Sequence, residues 1–266
     1  MSPIARFLTA LPLLLLYPAS PAMADFKKGM AAYDAGDYAT ALKEWRPLAE
    51  QGNADAQYGL GLIYDSGKGV AQDNAEAARW YRKAAEQGLA SAQSNLGVLY
   101  ARGEGVKQDY AEAARWYRRA AEQEYAMAQF NLGVLYEKGQ GVKQDDHEAV
   151  HWYRRAAEQG DTDAQLNLGL LYVKGQGVPQ SYAKAVRWYR MAADHGDADA
   201  QSRLGLLYAN GQGVPQDYIQ AHLWLNLAAT QGAKSAAKER DLLAKKMPAD
   251  QLAQAHKLAR GWKPQK

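Results

Sequence analysis

The sequence contains no cysteine, so it has neither disulfides nor thiolate metal sites. It has three phenylalanines against 17 tyrosines and seven tryptophans. It also has little net charge: 32 Lys and Arg stand against 29 Asp and Glu, a balance of +3 over 266 residues. Charges that nearly cancel and alternate in sign describe solvated faces, not a nucleic-acid footprint. The apolar run from Phe7 to Tyr17 has 11 residues, where a helical membrane span needs about 20. What is present is ordinary for a folded chain, with 47% apolar residues. Large amphipathic rings combined with abundant Ala and Gly point to closely packed helices.

The first residues stand apart. Arg6, the short apolar run and the small-residue triplet Ala22-Met23-Ala24 predict a secretory leader over residues 1–24, cleaved after Ala24. No cysteine follows, which excludes a lipoprotein anchor. The mature chain is expected to be exported, without a membrane span, and periplasmic in a Gram-negative cell.

Beyond the leader the chain repeats itself. Trp80, Trp116, Trp152, Trp188 and Trp224 are each 36 residues apart. Leu60-Gly61 recurs in step as Leu96-Gly97, Leu132-Gly133, Leu168-Gly169 and Leu204-Gly205, and Tyr64 as Tyr100, Tyr136, Tyr172 and Tyr208. A Gly-x-Gly-Val turn recurs at Gly67, Gly103, Gly139, Gly175 and Gly211. Self-similarity at such a period signals a solenoid, in which each unit buries its apolar face only against its neighbours.

The unit from Leu89 to Glu124 reads as two helices. Ala92, Leu96, Leu99 and Tyr100 make one apolar stripe. Gly97 removes a side chain where a neighbouring helix must come close. Gly103 and Gly105 end the first helix, and Asp109 caps the second. The second helix carries Ala113, Trp116, Tyr117, Ala120 and Ala121 on one face, with Glu112 and Arg115 outward. The expected organisation is a capping hairpin at 25–52, five repeats at 53–88, 89–124, 125–160, 161–196 and 197–232, and capping helices at 233–266. Glu124 stands where the other units end in Gly88, Gly160, Gly196 and Gly232. A left-handed turn there costs glutamate about 1 kcal/mol or more.

The pattern A-x-x-x-L-G-x-x-Y-x-x-G-x-G-V followed by A-x-x-W-x-x-x-A-A-x-x-G resembles the Sel-1-like repeat, a relative of the tetratricopeptide repeat. The resemblance covers Asn53 to Gly232. It implies an all-α fold, a right-handed superhelical solenoid of antiparallel helix pairs. It also implies a non-catalytic role as scaffold, adaptor or regulator of a protein partner, with no cofactor. Some relatives are cysteine-rich and linked to β-lactam binding or hydrolysis; none of those cysteines is present. A hydrolase of β-lactam or cell-wall substrates, or a structural part of an envelope or exopolysaccharide-secretion assembly, are the alternatives.

Two motifs invite a catalytic reading. His147-Glu148-Ala149-Val150-His151 matches the zinc-protease pattern H-E-x-x-H. In register, however, His147 occupies the position of Ala75 and Ala111, and His151 that of Arg79 and Arg115. Without a third ligand, of which catalytic zinc usually has three, at most adventitious metal binding is expected of His147 and His151. Ser181-x-x-Lys184 and Ser235-x-x-Lys238 match S-x-x-K, but the K-T-G and S-D-N partners are missing. Ser181 falls in the cap position of Asp73 and Asp109.

Positions that differ between units are where a partner could be read. The residue two before the Leu varies as Tyr58, Ser94, Phe130, Leu166 and Ser202; the residue after the Tyr varies as Asp65, Ala101, Glu137, Val173 and Ala209. By analogy with tetratricopeptide arrays these line the concave face. Tyr58, Asp65, Phe130, Glu137, Leu166 and Val173 are therefore the candidate partner contacts. The alternative is that they pack between first helices of adjacent units.

Overall fold

The computed structural model of the chain describes residues 21–265. Most of the predicted leader lies outside the described residues. Among these there are fourteen α-helices and no strand. A first hairpin is formed by α1 (Pro21–Asp34) and α2 (Tyr38–Glu50). Five helix pairs follow: α3 (Ala54–Ser66) and α4 (Asn74–Glu86), α5 (Ala90–Arg102) and α6 (Tyr110–Glu122), α7 (Ala126–Lys138) and α8 (Asp146–Glu158), α9 (Thr162–Lys174) and α10 (Tyr182–Asp194), α11 (Ala198–Asn210) and α12 (Tyr218–Thr230). The described chain ends with α13 (Lys234–Ala244) and α14 (Ala249–Gly261).

From α1 to α13 each helix packs on its neighbours in the chain. The ends of the second helices are set by side-chain caps. Asp109 accepts from the backbone N–H of Ala111 and Glu112, and Asp73 and Asp145 do the same in their units. The first helices close on a left-handed glycine, such as Gly103 at φ 73. The second glycine of that turn serves a different need. A β-carbon on Gly105 would lie 2.1 Å from the backbone of Asn74, where the turn runs against the preceding unit.

The core lies between units. Ala77, Ala78, Tyr81, Ala84 and Ala85 from one second helix pack with Ala92, Leu96 and Leu99 of the next first helix and with Trp116 of the helix after it. The next cluster repeats this with Ala113, Tyr117, Ala120, Leu132, Leu135 and Trp152. Gly97 admits the ring of Tyr117, which a β-carbon would meet at 2.6 Å; Tyr81, Tyr153 and Tyr189 sit likewise against Gly61, Gly133 and Gly169.

Two polar ladders join the units. Gln93 donates back to the carbonyl of Ala85 at 3.0 Å and accepts from Gln123 at 2.8 Å. Gln57, Gln129 and Gln201 repeat both bonds. In the fourth unit residue 195 is His, whose Nδ1 pairs with the Met191 carbonyl at 2.8 Å, and the buried Oε1 of Gln165 has no partner. The second ladder runs from arginine to tyrosine: Arg46 to Tyr64 at 2.9 Å, Arg82 to Tyr100 at 2.5 Å and Arg154 to Tyr172 at 3.1 Å, with Arg118–Tyr136 and Arg190–Tyr208 in the same register.

Glu124 does adopt the left-handed turn, at φ 62, alone among non-glycine residues described. Its carboxylate accepts from Gln129 at 2.9 Å and from Arg155. These bonds lower its pKa from the usual carboxylate value, Arg155 contributing most. At the C-terminal end α13 continues the stack on α12, while α14 passes over it and packs back onto α12. The last residues return further still: Trp262 meets Trp224 edge to face at 6.2 Å, and the N–H of Gln265 donates to the Asp194 carbonyl at 2.7 Å.

Candidate interaction face

The first helices present a row of side chains that the inter-unit core does not fully cover. Tyr58, Asp65, Phe130, Glu137, Leu166 and Val173 all lie in this row, each half-buried. They divide by chemistry. Tyr58 lies over the ring of Tyr81 at 5.8 Å, and Phe130 over Tyr153 at 5.7 Å. Asp65 accepts from the Tyr81 hydroxyl at 3.2 Å, and Glu137 from Tyr153 at 2.6 Å. Burial, with the neighbouring carboxylate, pushes both hydroxyls above the usual tyrosine range, so both remain donors. Leu166 and Val173 pack against the core that holds Tyr189. Burial pushes that hydroxyl up to about 12, with Arg203 partly offsetting the rise, and its proton finds no acceptor.

Tyr58, Asp65, Phe130 and Glu137 thus touch the tyrosine of their own unit's second helix. Between them runs a second set that the differences between units do not single out: Leu62, Val98, Val134, Leu170 and Leu206, one per unit and all half-buried. Their signal was an apolar type held constant at a position four residues after the variable one, on the same helical face. The row therefore combines a constant apolar spine with flanks that differ from unit to unit.

Two openings break the row. One, of about 250 Å3, is lined by Val98, Ala101, Arg102, Tyr117, Asn131 and Val134. The other, of about 160 Å3, lies three units on and is lined by Leu206, Ala209, Leu225, Glu239 and Leu242. Both occur where the residue after the recurring Tyr is alanine. A larger groove of about 420 Å3 on the second-helix side is lined by Arg115, Arg118 and Arg119. Those arginines are already engaged, with Glu112, the Tyr136 hydroxyl and the Trp116 ring respectively.

The catalytic-looking motifs are placed apart from this row. His147, Glu148 and His151 are exposed on α8. Glu148 accepts from the Trp152 indole at 3.2 Å, and His151 stands edge-on to that ring at 4.9 Å. Among the described residues no three His, Asp or Glu side chains converge as metal ligands. Ser181 caps α10, its hydroxyl accepting from the Lys184 N–H at 3.3 Å, and Ser235 is exposed near the start of α13. No helix among the described residues is long and apolar enough to cross a membrane.

A family model described as the Sel1 repeat matches residues 54–89, 90–125, 126–161, 162–197 and 198–232. Two solved structures are similar over most of the chain. One is c5321, a protective antigen of uropathogenic Escherichia coli strains displaying an SLR fold. It is 39% identical with a TM-score of 0.82, over 90% of this chain and 53% of that one. The chain thus spans about half the length of that relative. The other is a Sel1 repeat protein from Oxalobacter formigenes, 41% identical with a TM-score of 0.75, over 80% of this chain and 88% of that one. No curated protein matches the chain.

Proposed function

The chain belongs to the Sel1 repeat family, and from that premise we propose that it is a non-catalytic scaffold or adaptor that holds a protein partner along its first-helix face. The observation that carries this reading is the row itself. A constant apolar spine from Leu62 to Leu206 is flanked by side chains that change from unit to unit, which is what a solenoid uses to read one partner along its length. Aromatic anchors such as Phe130 beside polar neighbours suit a binding surface.

The location proposed is the periplasm of a bacterial cell, after cleavage behind Ala24. The leader pattern supports it. So does the position of Phe26, just past that point, which stacks on Trp45 at 5.9 Å while its carbonyl accepts from the Trp45 indole at 3.2 Å. Asp25 is the expected N-terminus of the protein recovered from an osmotic-shock fraction.

The test is a Phe130→Ala, Leu166→Ala double variant. Site-specific photocrosslinking from Val134 is expected to yield one discrete adduct with the wild type and none with the variant, at unchanged circular dichroism. An adduct that survives the double substitution, or crosslinks only from the second-helix side, would place the partner elsewhere.

A further inference from the structure

One position on the first-helix face is solved in three different ways. In units one and three the residue after the recurring Tyr is an acid, and it accepts from the buried hydroxyl of that unit's second-helix tyrosine: Asp65 from Tyr81 at 3.2 Å and Glu137 from Tyr153 at 2.6 Å. In unit four it is Val173, and the Tyr189 hydroxyl is buried beside Arg203 with no acceptor for its proton. In unit two it is Ala101. The tyrosine is unchanged: Tyr117 sits against Gly97 as Tyr153 sits against Gly133. Burial raises its pKa, so it too is a donor, and the Arg102 charge beside it partly offsets the rise. The space that the Glu137 side chain fills in unit three is open in unit two, as the 250 Å3 cavity edged by Tyr117, Arg102 and Asn131.

Resting on the partner-binding reading above, we propose that the cavity at Ala101 is a subsite for one carboxylate side chain of an extended partner peptide. The chain itself provides the template: an aspartate or glutamate of the partner would lie where Glu137 lies in the next unit, accepting from the Tyr117 hydroxyl. Arg102 supplies the charge. Its counterparts in units one and three are Ser66 and Lys138, and its own contact with Glu104 is loose, at 3.9 Å on the exposed rim. Asn131 adds an amide donor from the facing helix. A charge-assisted bond to a guanidinium is stronger than a neutral one, and a tyrosine hydroxyl left unpaired is unfavourable. The first effect favours an acid over an amide, and the second favours either of them over an apolar side chain. Small-molecule pockets run to about 300–1,000 Å3, so the smaller cavity here suits a single side chain of a larger ligand.

The equivalent opening at Ala209 gives the contrast. Its floor is Leu225 instead of a tyrosine, and Glu239 stands where Asn131 stands. Asn210 and Lys246 also line it, so what it lacks is the buried tyrosine hydroxyl, while Glu239 adds a charge of the same sign as an incoming acid.

The experiment is selection of a random peptide display library on the full chain, repeated on Ala101→Glu and Tyr117→Phe. Ala101→Glu installs in unit two the residue already accommodated in unit three, so its fold is expected to be kept, as circular dichroism will show. Peptides selected on the wild type are expected to share one Asp or Glu. Their affinity is expected to fall about ten-fold, equivalent to about 1.4 kcal/mol, on Ala101→Glu. It should fall several-fold on Tyr117→Phe, and when the shared acid is changed to its amide. Selected peptides without a shared acid, or with undiminished binding to Ala101→Glu, overturn the subsite while leaving the first-helix face as the binding surface if Phe130→Ala weakens them. No selection on the wild type overturns both.

Discussion

Replacing Trp152 by alanine tests the claim that the core of this protein lies between units and not within them. Trp152 is buried to 7% of its free exposure. It packs against Ala113, Tyr117, Ala120, Leu132 and Leu135, side chains of the preceding unit and of its own first helix. A buried tryptophan covers about 150–250 Å2, which at about 25 cal/mol per Å2 amounts to roughly 4–6 kcal/mol. That is an upper figure, because the unfolded chain already buries some of this area. Truncations of large aromatic residues in well-packed cores lose about 3–5 kcal/mol, and the two estimates agree. The indole bond to Glu148 is at the surface and contributes little beside this. Removing a side chain that belongs to a junction has a second effect. The units on either side lose their coupling, so unfolding should broaden or separate into two steps. Urea denaturation followed by circular dichroism reads both: an unfolding free energy lower by about 3–5 kcal/mol, seen as a lower midpoint, and a smaller apparent slope. Trp152→Phe should recover part of the loss. An Ala variant with an unchanged midpoint and a single sharp transition would refute the between-unit core.

Other outcomes follow from the polar features. His195→Gln should complete the glutamine ladder by giving the Oε1 of Gln165 its missing donor, stabilising the chain by about 1 kcal/mol in chemical denaturation; a neutral or destabilising result would count against the ladder. Glu124→Gly should change stability by less than about 1 kcal/mol, because relief of a left-handed glutamate is set against loss of the surface contact with Arg155. His222 is buried against His256 at 5.0 Å, with Arg240 and Asp241 nearby, and burial and then His256 lower its pKa to about 4. A folded-state pKa below the unfolded value of about 6.5 means that the unfolded chain takes up the proton first. Its contribution is therefore fully present above about pH 6.5 and lost as pH falls towards 4. Between pH 7 and 4 the wild type should lose roughly 2–3 kcal/mol more than His222→Val, read from paired denaturation curves; equal losses would show that His222 is not the titrating group.

Much of the architecture was legible because each local signal is repeated five times. Asp109 and Gly103 marked the helix ends, and the Leu-Gly pair marked the close approach that Tyr117 fills. Position on the first-helix face was legible too, from the differences between units. Role was not. Asp65 meets Tyr81, and Glu137 meets Tyr153, across two helices and 16 residues, a pairing that periodicity within one helix does not show. The spine from Leu62 to Leu206 was overlooked for a related reason: a residue type held constant reads as core, although these five positions are only half-buried. Glu124 could not be decided from its own letter, because its turn is supported by Gln129 and by Arg155 of the following helix.

The constancy of the ladders has a metrical consequence. Gln93 grips the previous unit and its own by bonds that recur at the same residue separations in other units, so each 36-residue block advances the array by one fixed graduation. The openings at Ala101 and Ala209 are three graduations apart. Insertion or deletion of a whole block between them would reset that distance while leaving the lining of each opening as it is. A chain of this kind can be refitted to a partner of different length by changing its own count of blocks, with no new contact invented. The missing bond beside His195 falls between the two marks, where the ladder keeps only the bond from Gln165 to the Ala157 carbonyl.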